Sequence, residues 1–237
     1  MNYTLHKAEE RGKAEHGWLH SRFSFSFADW YDPSRMGFGV LRVINDDIID
    51  ADSGFDLHPH NNMEIITIVT HGTVTHGDSM GNQEDVIAGD VQVMSAGTGV
   101  VHSEHNNSLT ESLELFQIWI QPKSRNIVPR YGQKSFALQW KQNALELLVS
   151  PDGRDASLSI HQDAFISRGM LSEGQTQVYS PYLSTNGVYI LIVDGALTLD
   201  THTLTTRDAL GIEDFDQMTL RATQDTHYLV FEVPMTA

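Results

Sequence analysis

Hydrophobic and polar positions alternate with a period of two along most of the chain. Leu113-Glu-Leu-Phe-Gln-Ile-Trp-Ile120 is one such run, and residues 86–94, 189–193 and 228–233 are others, all rich in β-branched and aromatic side chains. Such residues fit a pleated surface with a buried face, so each run predicts a short strand. Turn-forming residues separate the runs at Asp78-Ser-Met-Gly81, Ser150-Pro-Asp-Gly153 and Thr185-Asn-Gly187, and Ala88-Gly-Asp90 folds residues 86–94 into a hairpin. Helical periodicity is scarce: residues 8–14 and 143–148 each suit a turn or two. Many short, evenly spaced strands predict an all-β sandwich or barrel.

An internal echo refines this picture. Ile65-Ile-Thr-Ile-Val-Thr-His-Gly-Thr-Val-Thr75 resembles Val188-Tyr-Ile-Leu-Ile-Val-Asp-Gly-Ala-Leu-Thr-Leu199: an apolar strand, a polar residue before glycine, then an alternating strand. Glycine at that point permits the positive φ of a tight hairpin. Between the two units, residues 121–132 carry Pro122 and Pro129 among basic residues and break the alternation. Two tandem β-barrels are therefore expected, residues 1–132 and residues 133–237.

Composition removes several function classes. The 237 residues include no cysteine, so neither disulfides nor thiolate chemistry is available. No apolar run approaches the roughly 18 residues of a membrane helix, and the charged first residues do not resemble a signal peptide. A cytoplasmic monomer with no membrane contact is expected. The net charge is −16, and no Lys or Arg lies between Arg42 and Lys123. Such a field repels phosphate backbones, which argues against nucleic acid, and attracts cations. Half of the twelve histidines, His58, His60, His71, His76, His102 and His105, lie in this acidic interval. Imidazoles beside carboxylates without competing ammonium groups suit metal ligation.

Two constellations carry that chemistry, His58-Pro-His60 and His102-Ser-Glu104. Residues i and i+2 of a strand point to one face, so each pair sends two ligands in one direction. If the two segments neighbour each other in a small barrel, three imidazoles and a carboxylate converge inside it. Pro59 fixes an extended φ and forgoes a ladder bond, which suits a sheet edge or strand start. A three-nitrogen, one-oxygen set leaves positions open for water, substrate or dioxygen. It accepts Fe(II), Mn, Co, Ni, Cu or Zn. Ligating histidines must be neutral, so metal should be lost below about pH 6. Glu64 is a candidate supporting partner or alternative ligand. His71, His76 and His105 are expected at the surface or behind the ligands, and His161, His202 and His227 are expected to be structural.

Longer motifs point further. Gly54-Phe-Asp-Leu-His-Pro-His-Asn-Asn-Met-Glu-Ile65, Ser95-Ala-Gly-Thr-Gly-Val-Val-His-Ser-Glu-His105 and Gln117-Ile-Trp-Ile120 resemble the pirin family of the cupin superfamily. So do Phe23-Ser-Phe-Ser-Phe27, Tyr31-Asp-Pro33, Met36-Gly-Phe38 and Leu41-Arg-Val-Ile-Asn-Asp46 upstream, and Ser150-Pro-Asp-Gly-Arg154 and Ile160-His-Gln-Asp163 downstream. The resemblance implies a bicupin, two jelly-roll β-barrels with few short helices and one metal in the first. The family's ligands carry over onto His58, His60, His102 and Glu104. Aligning Gly72 with Gly195 puts Pro181 and Leu183 where the second barrel would need two histidines, so it is expected to hold no metal. Bacterial pirin-like proteins are associated with quercetin 2,3-dioxygenase activity, and the eukaryotic member is a nuclear transcription cofactor. The resemblance thus implies a dioxygenase, Fe(II) its first expected metal, cleaving a flavonol-like aromatic with O2, with Glu104 as general base. The alternative is a non-catalytic, metal-sensing regulator of a protein partner.

Overall fold

A computed structural model describes residues 1–136 and 139–236. Among them the strands are β1 (Asn2–His6), β2 (Gly12–Glu15), β3 (Leu19–Phe23), β4 (Leu41–Ile49), β5 (Ser53–His60), β6 (Glu64–His71), β7 (Thr73–Asp78), β8 (Gln83–Ile87), β9 (Asp90–Ser95), β10 (Val100–Asn106), β11 (Leu113–Ile120) and β12 (Arg130–Ser135). They continue with β13 (Ala144–Ser150), β14 (Leu158–Ser159), β15 (Phe165–Leu171), β16 (Thr176–Tyr179), β17 (Asn186–Asp194), β18 (Ala196–Leu199), β19 (His202–Thr205), β20 (Ala209–Glu213), β21 (Met218–Ala222) and β22 (Thr226–Pro234). Two single-turn 3-10 helices, Ala8–Glu10 and Arg154–Ala156, complete the described elements.

The strands form two copies of one barrel plan. The first has a seven-stranded sheet, β12-β9-β6-β11-β4-β3-β2, facing a four-stranded sheet, β5-β10-β7-β8. The second has β1-β20-β17-β22-β15-β13-β14 facing β16-β21-β18-β19. The echoed hairpins occupy equivalent places, β6–β7 and β17–β18. Their glycines have φ of 76° at Gly72 and 94° at Gly195, and a Cβ at either would strike backbone, of Ser112 or Asp225. The expected bicupin is therefore present. Two strands cross between the repeats: β1 adds to the second barrel's sheet, and β12 adds to the first barrel's.

The large sheets pack back to back, which explains their near-continuous apolar strands. Along β6, Ile66 and Ile68 face the core between the barrels, while Ile65 and Val69 face the interior of the first. Along β17, Tyr189 and Leu191 join that shared core, and Val188, Ile190 and Ile192 fill the second barrel. A sheet buried on both faces needs no polar alternation. The second interior is packed with apolar side chains from both its sheets. The first keeps its apolar cluster of Leu19, Ile49, Val69, Val74, Val86, Leu113 and Leu115 at one end, leaving room for polar side chains at the other.

One helix expectation fails, and the other holds for a single turn. Residues 144–148 lie in strand β13, because pairing with β15 places Leu148 and Val149 in the shared core; tertiary pairing outweighs local propensity. In the 8–14 segment only Ala8–Glu10 turns, and Gly12 starts a strand paired with β3.

Candidate metal centre

The small sheet of the first barrel presents its chemistry on adjacent strands. β5 is its edge strand, so Pro59 costs no interior ladder bond. In the β5–β10 pairing His58 stands opposite His102; His102 and Glu104, two apart on β10, share one face, and the register shift between them places its extra residue on β5. The ring centroids of His58 and His102 lie 4.3 Å apart, those of His58 and His60 4.9 Å, and those of His60 and His102 4.8 Å. One ligand-type nitrogen from each lies within 4.8 Å of the others. Glu104 belongs to a second, overlapping group with His76 and His102, whose donor atoms also lie within 4.8 Å of one another. His102, on the central strand, is shared by both.

The chemistry of these donors fits a cation. His102 is 1% exposed, and neither ring nitrogen has a hydrogen-bond partner. A buried imidazole with two orphaned nitrogens is costly unless something binds there. His58 Nδ1 donates to the Asp56 carbonyl at 2.7 Å, which leaves Nε2 as a free lone pair. Burial, reinforced by the neighbouring imidazoles, depresses His60 to about 4 and His102 to about 2. Both are therefore neutral, as ligands must be. Burial pushes the Glu104 carboxyl up to about 7, against hydrogen bonds that favour its charged form. Two of these come from Gln117 Nε2 at 2.9 Å and Thr67 Oγ1 at 3.3 Å.

Above the donors opens a cavity of about 490 Å³. Trp18, Phe27, Phe55, Leu57 and Trp119 supply apolar walls, and Trp119 meets the His60 ring edge to face at 4.9 Å. Asn45 and Asp47 of β4 and Gln117 of β11 form a polar strip on the opposite sheet. Asp47 accepts a hydrogen bond from Ser21 Oγ and is pushed up to about 7 by burial. Aromatic walls, a few fixed polar groups and open donor atoms suit a planar, oxygenated ligand.

Among the other expected residues, Glu64 is turned away from the cup. It accepts from Ser95 Oγ at 2.7 Å and from the His161 backbone N–H at 3.2 Å, tying the two repeats together. His71 is exposed at the end of β6. His105 points outward, 3.5 Å from exposed Asp56. His202 packs on Tyr3 and His227 on Trp140, both outside the site. His76 is fully buried in the cup, which the spacing His76-Gly-Asp78, a third i, i+2 pair, could have shown.

Two barrels of cupin plan, with a histidine–carboxylate cup in the first, define a bicupin with a metal-type centre. Comparison with known proteins narrows the class. Residues 4–120 match the Pirin family model, and residues 147–233 match that of the quercetinase C-terminal cupin domain. The chain belongs to the pirin family. It is 49% identical over 231 residues to quercetin 2,3-dioxygenase of Escherichia coli (strain K12), covering 97% of this chain and 98% of that protein. A pirin-like protein of Caulobacter vibrioides is 40% identical over 225 residues, 94% of this chain and 96% of that one. The crystal structure of bacterial pirin YhhW from Escherichia coli in complex with nickel(II) superposes with a TM-score of 0.93 at 47% identity, over 98% of this chain and 99% of that one.

Proposed function

We propose that this chain is a metal-dependent dioxygenase cleaving a flavonol-like aromatic with O2, its metal held by His58, His60, His102 and Glu104. The orphaned nitrogens of buried His102 carry the reading: the cup is built for a bound cation and incomplete without one. Its likeness to a quercetin 2,3-dioxygenase and to a nickel-bound pirin supports both halves of the proposal. Fe(II) is the proposed ion for turnover, and the same donors accept Ni(II) and its neighbours. When bound, the metal supplies Lewis acidity to the 3-hydroxyl and 4-carbonyl oxygens of the substrate.

The remaining work falls to side chains. Trp119, Phe27 and Phe55 line the space above the donors, where they clamp a planar ring and keep water out. Glu104, swinging away from the metal as it does so, takes the 3-hydroxyl proton as general base. Gln117 and Thr67 hold it in place beforehand. Protein loaded anaerobically with Fe(II) and mixed with quercetin in air is expected to consume O2 in step with quercetin loss. Firm metal binding without O2 uptake would overturn the dioxygenase reading and favour a regulator acting on a protein partner.

Metal uptake should depend on Glu104 rather than on His60 or His102. His60 and His102 stay neutral down to about 4 and about 2, but Glu104 gains its proton as pH falls through about 7. Metal must displace that proton, so affinity falls between pH 7 and 6, and binding near pH 6 releases about one proton. Calorimetric titrations in buffers of different ionisation enthalpy read this directly. Affinity that stays flat from pH 7 to 5.5 would remove Glu104 from the ligand set.

A further inference from the structure

The inner face of the small sheet carries three pairs of ligand-type residues, not two. Beside His58/His60 on β5 and His102/Glu104 on β10 stands His76/Asp78 on β7. In the β10–β7 register His102 faces Asp78, and Glu104 faces His76. His76 is fully buried, and its ring stacks on Tyr131 at 4.9 Å. Its Nε2 lies 3.1 Å from Asp78 Oδ2. The Asp78 carboxylate also accepts from the Met80 and Asn82 backbone N–H groups at 2.9 and 3.1 Å and from Asn82 Nδ2 at 2.8 Å. A carboxylate engaged by this many donors accepts, so the His76 proton sits on Nε2 and Nδ1 presents a lone pair. That Nδ1 is buried with no partner.

His102 has the complementary need. A metal held with His58 and His60 takes one of its ring nitrogens, and the other then carries an N–H in a closed environment. Ligating histidines are oriented by whatever accepts that second N–H. Glu104 is engaged by Gln117 and Thr67. The His76 ring, 5.4 Å from that of His102, brings the unpaired acceptor. We propose that His76, its tautomer locked by Asp78, is a positioning residue that accepts the N–H of His102 and fixes the orientation in which His102 binds metal. This rests on the metal reading above and adds a row His102–His76–Asp78 running inward from the ion.

The test uses Zn(II), which is diamagnetic, with the full chain. Zn(II) affinity is measured by chelator competition, and histidine nitrogens are observed by 15N NMR in the loaded protein. Wild type should show His102 with one metal-bound and one protonated nitrogen, and His76 protonated on Nε2. His76→Phe keeps the ring packing but removes the acceptor, and should weaken Zn(II) binding by about 10–100-fold. His76→Asn, whose amide oxygen reaches a position like that of Nδ1, should recover most of that loss. Asp78→Asn provides a second variant with the ring intact; it should free the His76 tautomer and weaken Zn(II) in the same direction. Wild-type affinity in His76→Phe with an unchanged His102 N–H signal would overturn the proposal. So would a metal-bound His76, which would make it a ligand instead. Absence of Zn(II) binding by wild type would sink the metal reading itself, a different failure from equal binding by wild type and variant.

Discussion

His102→Ala is expected to abolish metal binding at micromolar concentrations and, with it, any oxygen uptake with quercetin. The size of the effect follows from position. His102 is the donor common to the group with His58 and His60 and the group with His76 and Glu104. Its loss leaves only His58 and His60 of β5 in the first group, and only His76 of β7 and Glu104 of β10 in the second. Removing a partner behind a ligand costs about 10–100-fold in affinity, and removing this shared ligand must cost more. Stability offers an independent readout. A metal at 100 times its Kd should stabilise wild type by about 2.7 kcal/mol, or roughly 5–11 °C in Tm for a chain of this size. In His102→Ala the loaded and metal-free proteins should melt together. Because each protein is compared with itself, the cavity left by the imidazole cancels. A metal-induced rise in Tm that survives the substitution would show that the ion binds elsewhere.

Which parts of this centre were legible in the sequence depends on how locally they are encoded. The strand period of two makes His58-Pro-His60 and His102-Ser-Glu104 readable as inward pairs, and Pro59 marks the sheet edge where β5 lies. The duplicated hairpins are equally local, since Gly72 and Gly195 are required by their positive φ. Other features need the partner strand. Asn45, Asp46 and Asp47 are consecutive, and a one-residue slip exchanges inside for outside. Only pairing with β3 and β11 decides that Asn45 and Asp47 line the cup while Asp46 meets Arg11 and Arg207 outside it. Asp78 reads as the start of a turn, which hides its pairing with His76. The exchange of β1 and β12 between barrels depends on contacts some 200 and 40 residues apart, as in Tyr3 with Ile212 and Tyr131 with Met94. Glu64, four residues beyond His60, invites assignment to the metal. Its bond to the His161 backbone shows that burial and spacing do not identify a ligand unless direction is known.

Glu232→Ala should be the most damaging single change outside the cup. With Gly72 aligned on Gly195, Glu232 falls where Trp119 stands in the first barrel: Trp119 pairs with Ile65, and Glu232 pairs with Val188. Trp119 packs against His60; Glu232 faces the corresponding segment, where Pro181 and Leu183 replace the two histidines. Its carboxylate is fully buried and accepts from the Tyr179 hydroxyl at 2.7 Å, the Tyr182 and Leu183 N–H groups at 2.8 and 2.9 Å, and Asn186 Nδ2 at 3.1 Å. One side chain therefore draws the segment between β16 and β17 across the mouth of the second barrel, whose interior is filled with apolar groups. Alanine would leave these donors without their acceptor. Hydrogen bonds to a charged group contribute about 1.5–3 kcal/mol each, so even two of them imply a loss of at least about 3 kcal/mol. Denaturant titration should show that loss, and Tm should fall by roughly 6–12 °C. Metal affinity at the first barrel should stay close to wild type at temperatures where the variant is folded, because Glu232 touches none of the cup residues. An unchanged Tm would show that the segment is held by other contacts, such as the stacking of Tyr182 on Phe165 at 4.3 Å. A parallel loss of metal would instead show that the two barrels unfold as one unit through their shared core, making closure of the second barrel a condition for the chemistry of the first.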